Sequence, residues 1–367
     1  MKNYSVCLIG NNNLGKDVSD GQRVKTREFI NILNSENIPV DLVDLEMFKS
    51  KPFKVLKCIK NGIKNNDIII FISASRGVRT LLPFINHLNR KYNKRFVLPL
   101  IGSSVLHYYI DGLSKDECFN FLLNDNVTKC RNKFLSKQLS KIDLILPETE
   151  LLTQRFKSFY SLSNVKTFPN LKIGSLCKIS KKNGRYAFIS RINVNKGIFD
   201  LIKVVDQINF SNTDKIYLDI YGDYQLTEDN KKMFDRLLMN NGFIHYKGVL
   251  KPDQVINVLS SYDYLVFPTK FVSEGIPGIV IESLIAGTPV ISSSYPQSGS
   301  VLKDGLNSIV FKMDNQEELK KALVNSQKDE TKRRLTSGAI SSSTKYIYSF
   351  NRENFYECIL GVKYENN

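Results

Sequence analysis

The 367-residue sequence is poor in side chains that hold metal ions. It has three histidines, His87, His107 and His245, and none is spaced with a cysteine or an acid as a metal site requires. Six cysteines, Cys7, Cys58, Cys118, Cys130, Cys177 and Cys358, are scattered without a C-x-x-C pair. They read as core thiols rather than disulfides or metal ligands. No apolar run approaches the length of a membrane span, and the opening MKNYSVCLIGN passes directly into a strand-like segment with no cleavage-site pattern. The expectation is a soluble cytoplasmic protein. RNP motifs, zinc fingers and interleaved aromatic–basic patterns are also missing, so nucleic acid is not an expected partner despite a net charge of +16. There is no repeat of solenoid period and no low-complexity tract.

What is present points to two domains, because 367 residues exceed one ordinary core. Apolar β-rich runs alternate with helical patterns: SVCLIG, VDLV, DIIIFIS, RFVLPLIG and KIDLILP, then RYAFISR, KIYLDIYG, FIHYKG, DYLVFP and TPVISSS. Continuous rather than alternating apolarity predicts strands buried on both faces. The fold class is therefore α/β, two doubly wound Rossmann-like domains facing each other across a cleft. The Gly-, Ser- and Lys-rich stretch FPNLKIGSLCKISKKNG reads as the linker, which sets the domains at 1–170 and 171–345. A C-terminal helix is expected within 346–367, from YIYSFNRENFYECILGV.

The positive charge is unevenly shared. Residues 1–170 hold 26 Lys and Arg against 15 Asp and Glu, a net of +11, whereas 171–367 hold 26 against 21, a net of +5. In KPFKVLKCIKNGIK, Lys51, Lys54, Lys57, Lys60 and Lys64 recur at helical spacing opposite Val55, Leu56, Ile59 and Ile63. Two readings stand side by side: a helix that docks on an anionic membrane surface, or a solvated face over an ordinary core stripe.

Ligands of doubly wound sheets bind at the carboxyl ends of the strands, so the loops there carry the functional reading. After the first strand, GNNNLGKDVSDGQRVKT offers Gly10, Gly15 and Gly21, although its spacing is not G-x-G-x-x-G. In the second half, SRINVNKG puts Arg191 and Lys196 at a strand end just before a helix, where two cations can clamp a diphosphate or simply be solvated. Further on, SEGIPGIVIES places Glu274 and Glu282 around a Gly-Ile-Pro-Gly loop. Pro277 fits the first position of a helix running to Gly287. Its first N–H groups, on Gly278, Ile279 and Val280, would form an anion site. Glu282 lies too deep to be explained by the helix dipole, and its apolar neighbours call for a partner. From this window alone, a ligand site and structural punctuation stand level.

Taken together, SRINVNKGIFDLI, FPTKFVSEGIPGIVIESLIAGTPVIS with its E-x7-E spacing, and VLKDGLNSIVF resemble the retaining glycosyltransferases of family 4, which have the GT-B fold. DGQRVKT, LPETELL and NVKTFPN are similar to segments of members from bacterial polysaccharide assembly, so the resemblance spans nearly the whole chain. It implies that Arg191 and Lys196 bind the donor diphosphate, Glu282 takes the ribose hydroxyls and Glu274 holds the transferred sugar. The loop Gly275, Ile276, Pro277, Gly278 and Ile279 would give backbone donors, and Gly15 would approach the phosphate. Where many members carry a sugar-contacting histidine, this chain has Gly102, Ser103 and Ser104, with His107 slightly later. His107 and Ser103 are thus candidates for that contact, a core histidine being the alternative.

The resemblance further implies a nucleoside-diphosphate sugar as co-substrate and no cofactor or metal; the sequence has no D-x-D pair, Glu148-Thr149-Glu150 being the nearest approach. The acceptor it suggests is a saccharide, lipid-linked, in capsule, O-antigen or lipopolysaccharide synthesis, with the protein peripheral on the inner face of the plasma membrane. Two other readings share the fold. A nucleotide-sugar 2-epimerase would want ionisable groups in the cleft to move a proton, which the few histidines disfavour. A non-catalytic module binding nucleotide or lipid would not need Arg191, Lys196, Glu274 and Glu282 together.

Overall fold

The computed structural model describes residues 4–12, 21–102, 133–174, 184–211, 214–239, 241–272 and 274–364. They form two units, one of residues 1–173 with 348–367, the other of residues 174–347.

The first unit is built on a five-stranded parallel sheet: β1 (Val6–Gly10), β2 (Val40–Asp44), β3 (Ile68–Ile72), β4 (Arg95–Pro99) and β5 (Leu144–Leu146), in the order β2-β1-β3-β4-β5. β1 and β3 are buried along their whole length, which their unbroken apolarity demanded. Helices α1 (Gly21–Ser35), α2 (Pro52–Asn65), α3 (Ser75–Tyr92), α4 (Lys133–Leu139) and α5 (Glu150–Tyr160) connect and cover the strands. Along α2, Val55, Ile59 and Ile63 are buried while all five lysines are exposed, so the two-faced pattern is real. Gly62 lets this helix sit against β1, since a Cβ there would lie 2.5 Å from the Cys7 sulfur. Thr149 caps α5 by accepting the Leu152 N–H at 3.1 Å.

The C-terminal segment belongs to this unit. It is not one long helix: 3-10 turns precede a single α turn, Arg352–Phe355, that runs into a π turn, Tyr356–Leu360. Phe355, Ile359 and Leu360 pack with Phe29 and Phe168, and the Arg95 guanidinium donates to the carbonyls of Cys358 and Ile359, closing the helix end. Phe168 and Leu171 are buried here and the Lys172 carbonyl accepts the Tyr348 N–H at 2.9 Å. The stretch read as linker therefore begins as part of the core. Of the cysteines, Cys7 and Cys358 are buried, but Cys58 lies exposed on the lysine side of α2, contrary to a core reading. Cys118, Cys130 and Cys177 fall outside the described residues.

The second unit holds six parallel strands: β6 (Arg185–Ile189), β7 (Tyr217–Tyr221), β8 (Ile244–Tyr246), β9 (Tyr264–Phe267), β10 (Val290–Ser293) and β11 (Ser308–Phe311), ordered β11-β10-β9-β6-β7-β8. β11, an edge strand of SIVF, was not among the runs read from the sequence. Helices α6 (Ile198–Ser211), α7 (Glu228–Leu238), α8 (Val255–Leu259), α9 (Gly278–Ile285), α10 (Gln316–Ser326) and α11 (Asp329–Ser343) complete it. Two apolar clusters fill this unit, one including α6 and α10, the other α8 and α9. Among the described residues of the chain, no helix is long and apolar enough to cross a membrane.

Candidate active site

In the second sheet the winding reverses between β6 and β9, which are neighbours although three strands apart in sequence. Ligands of such sheets bind at this switch point, beyond the carboxyl ends of the strands. The loops that follow β6 and β9 are the ones that carry Arg191, Lys196 and Glu274.

The first loop is shaped by local capping. Asn193 Oδ1 accepts the Lys196 N–H at 3.0 Å, closing a 3-10 turn over Val194–Lys196, and Gly197 follows with φ +75°. Only glycine fits there for a second reason, because a Cβ would lie 2.1 Å from the Pro268 carbonyl oxygen. The Lys270 N–H donates to the Asn195 carbonyl at 2.8 Å, tying the two loops together. Lys270 also pairs through its ammonium with Asp200 and Asp314, each at 2.6 Å. Burial alone would lower the pKa of that ammonium, but the hydrogen bonds to Asp200 and Asp314 outweigh it and raise the value.

This stitching brings together two charges 78 residues apart. Lys196 Nζ lies 2.5 Å from Glu274 Oε2, with side-chain exposures of 7% and 17%. The ammonium also sits 5.3 Å from the Phe267 ring centroid and 5.1 Å from that of Phe271, so two aromatic faces wall it in. Thr269 Oγ1 donates to the same Glu274 oxygen at 3.2 Å. Behind them Tyr295 is buried edge-on to Phe267, centroids 6.1 Å apart, and its hydroxyl has no hydrogen-bond partner among the described residues. Burial and the nearby Glu274 charge push its pKa well up.

The helix of the E-x7-E block begins one residue later than the sequence suggested. Pro277 is the N-cap, with ψ at 132°, and α9 starts at Gly278; the Pro277 carbonyl accepts from Val280 and Ile281 at 3.1 and 3.4 Å. Having no N–H, Pro277 leaves Gly275, Ile276, Gly278 and Ile279 as the donors of that loop. The Ile276 side chain turns into the core, and the Gly278 and Ile279 N–H groups meet no backbone acceptor among the described residues. Glu282, half-buried, stands four residues after Gly278 and so on the same helical face.

Arg191 is exposed at the end of β6 and forms no ion pair among the described residues, so Lys196 and Glu274 meet each other and Arg191 does not join them. Its backbone is fixed from behind: Gly222 packs so closely that a Cβ would lie 1.8 Å from the Ser190 carbonyl oxygen. Gly15, Ser103 and His107 lie outside the described residues. Lys51, the N-cap of α2, and Lys54, Lys57 and Lys60 within that helix belong to the first unit. Sequence reasoning missed Asn193, Thr269, Lys270 and Tyr295. An Asn three residues before Lys-Gly is a readable cap signal, whereas nothing in the sequence marks the other three. Among the described residues, no group of three His, Cys, Asp or Glu side chains is placed to share a metal ion.

Residues 178–340 match the family described as glycosyl transferases, group 1. The second unit is a group 1 glycosyltransferase domain. A curated relative, the uncharacterized glycosyltransferase MJ1069 of Methanocaldococcus jannaschii, is 24% identical over 144 residues, 39% of this chain. That match spans only 36% of the relative's length. Among solved structures, HepE of Anabaena, in complex with UDP and glucose, aligns over 98% of this chain and 100% of its own, with a TM-score of 0.66 at 13% identity. The lipopolysaccharide outer core galactosyltransferase WaaB, in its apo form, aligns over 97% and 99%, with a TM-score of 0.61 at 16% identity. The glycosyltransferase domain and the five-stranded unit together have the GT-B fold.

Proposed function

We propose that this chain is a retaining glycosyltransferase that moves a sugar from a nucleoside-diphosphate sugar to a hydroxyl of a saccharide acceptor. The observation that carries the reading is the Lys196–Glu274 pair at the switch point of a group 1 glycosyltransferase domain, where the E-x7-E helix also begins. An ammonium has three N–H donors, and Glu274 takes one, leaving others for a diphosphate. Arg191 adds a second, exposed cation, and the Gly278 and Ile279 N–H groups add helix-terminus donors. Glu282 receives the ribose hydroxyls and Glu274 the hydroxyls of the sugar.

In the reaction the bond from the anomeric carbon to the diphosphate oxygen breaks and its electron pair stays on that oxygen. Lys196 and Arg191 stabilise the charge that develops there, without a metal ion. The acceptor hydroxyl bonds to the anomeric carbon from the face the diphosphate leaves, its proton passing to the departing phosphate oxygen. No protein nucleophile is required.

The acceptor we favour is a lipid-linked saccharide of surface polysaccharide synthesis, met at an anionic membrane surface. Two features of the first unit support this: the exposed lysines of α2, and Phe53 at the start of that helix, 85% exposed among them. WaaB, of like fold, is a lipopolysaccharide core enzyme.

The first test is a thermal-shift screen against UDP, GDP, ADP, CMP and their common sugar conjugates. Stabilisation by one nucleoside diphosphate, weakened in Glu282→Ala, supports the reading; no response to any of them overturns it. Transfer that survives chelator supports metal independence, and transfer restored only by divalent metal refutes it. For the membrane face, neutralising Lys51, Lys54 and Lys57 should reduce sedimentation with anionic vesicles, and unchanged sedimentation rules it out.

A further inference from the structure

Glu274 uses one oxygen twice and leaves the other open. Oε2 meets both Lys196 Nζ and Thr269 Oγ1, while Oε1 accepts no hydrogen bond among the described residues. The direction of the threonine contact is fixed by its neighbours. The Phe271 N–H donates to Thr269 Oγ1 at 3.2 Å, which uses the hydroxyl as acceptor and directs its single proton toward Glu274. Thr269 is itself fully buried, with its carbonyl accepting the Ser293 hydroxyl at 2.5 Å from the end of β10.

Lys196 must serve two anions in the proposed reaction, Glu274 before the donor arrives and the diphosphate afterwards. A carboxylate whose main partner turns away is free to rotate unless a second contact holds it. We propose that Thr269 is the positioning residue of the donor-sugar site: it keeps Glu274 Oε2 anchored when Lys196 engages the diphosphate, so that Oε1 remains aimed at the sugar hydroxyls. At 3.2 Å the contact is long for a hydroxyl donor, as expected while a closer ammonium occupies the same oxygen. This inference rests on the donor-binding reading above and adds to it a residue that touches neither phosphate nor sugar.

The test compares Thr269→Val, which keeps shape and loses the hydroxyl, with Thr269→Ser, which keeps the hydroxyl. Probes are UDP and UDP-glucose, GDP and GDP-mannose, or ADP and ADP-glucose, whichever pair stabilises the wild type. Thr269→Val should bind the bare nucleoside diphosphate as the wild type does, lose most of the added affinity conferred by the sugar, and turn over on the order of 10- to 100-fold more slowly. Thr269→Ser should restore both. A merely structural threonine would weaken both ligands together and lower the melting temperature in step. Unchanged turnover in Thr269→Val, equal loss for both ligands, or no rescue by serine overturns the proposal. A wild type that binds none of the six probes fails at the underlying reading instead, and the two failures are told apart by that control.

Discussion

Each unit places a lysine–glutamate pair at the carboxyl edge of its sheet, and the two pairs are built for different ends. In the first, Lys25 of α1 meets Glu148, just past β5, at 2.9 Å, and its ammonium also donates to the Leu100 carbonyl at 2.5 Å. Both side chains are nearly sealed, at 7% and 5% exposure. In the second, Lys196 has a carboxylate and two ring faces but no recorded backbone acceptor, and Glu274 has one oxygen uncommitted. The first ammonium is tied to the main chain as well as to its carboxylate, as a structural joint is; the second, on the proposed reading, keeps donors for a ligand. The same two residue types thus differ in role because of what completes their hydrogen bonding.

Breaking the first pair should have the largest effect. Lys25→Met leaves Glu148 buried and unpaired, and is expected to destabilise by about 3–5 kcal/mol. Adding Glu148→Leu should recover much of that, because the remaining charge is then gone too. Denaturant unfolding of the single and double variants measures both; a single variant as stable as the wild type would mean the joint bears no strain.

The second pair should respond the other way. Glu274→Gln is expected to reduce sugar transfer by about 10²–10³, the usual scale for a lost transition-state contact, with little change in unfolding midpoint. It should also bind the bare nucleoside diphosphate at least as tightly as the wild type, since Lys196 is released to the phosphates. Calorimetric titration with the nucleotide from the screen decides this. Weaker nucleotide binding would show Glu274 to be part of the phosphate site rather than the sugar site.

How much of this contrast was legible in the sequence follows from the physics of each feature. The strands of both sheets showed because parallel strands buried on two faces leave unbroken apolar runs, as in IIIFI of β3. β11 escaped because its four residues at a sheet edge carry little such signal. Lys196 and Glu274 were named from spacing and resemblance, but their contact was not, since it depends on β6 and β9 being neighbours. Likewise DGQRVKT and LPETELL stood out separately, and only the fold shows that Lys25 of one pairs with Glu148 of the other. Thr269 could not be read at all: a lone threonine after a strand gains meaning only from the carboxylate five residues on that folds back to it. Cys58 went wrong for a simpler reason, as an apolar residue type among lysines takes its place from helical phase, and that phase puts it outward.

A third ion pair sharpens the comparison because it joins a buried carboxylate to an exposed cation. Glu36, 4% exposed just beyond α1, accepts from Arg352 and the Tyr356 hydroxyl, both at 2.6 Å, while Arg352 itself is 41% exposed. Burial alone would raise the Glu36 pKa, but the Arg352 and Tyr356 hydrogen bonds prevail and hold it below the usual carboxylate value. The sign follows from linkage. A carboxyl depressed in the folded state adds stability above its unfolded pKa, and that contribution is lost as pH falls through the folded value. Glu36→Gln should therefore cost about 1.5–3 kcal/mol near neutral pH. The gap should narrow as pH falls below the ordinary glutamate pKa of about 4.3 and close once the pH is below the depressed folded value. A constant difference across that range would mean packing, not charge, fixes the C-terminal segment.

The smallest effect is expected at Tyr295, behind the open pair. Its hydroxyl is buried without a hydrogen-bond partner among the described residues, a state that costs stability rather than adding it. Tyr295→Phe removes that penalty while keeping the ring against Phe267, so stability should stay level or rise by about 1 kcal/mol. The corresponding removal at Lys25 or Glu148 would only harm, because each is the buried partner of the other's charge. If Tyr295→Phe instead lowers transfer with stability intact, the hydroxyl reaches Glu274 once the donor is bound, and the open pair has a further donor waiting behind it.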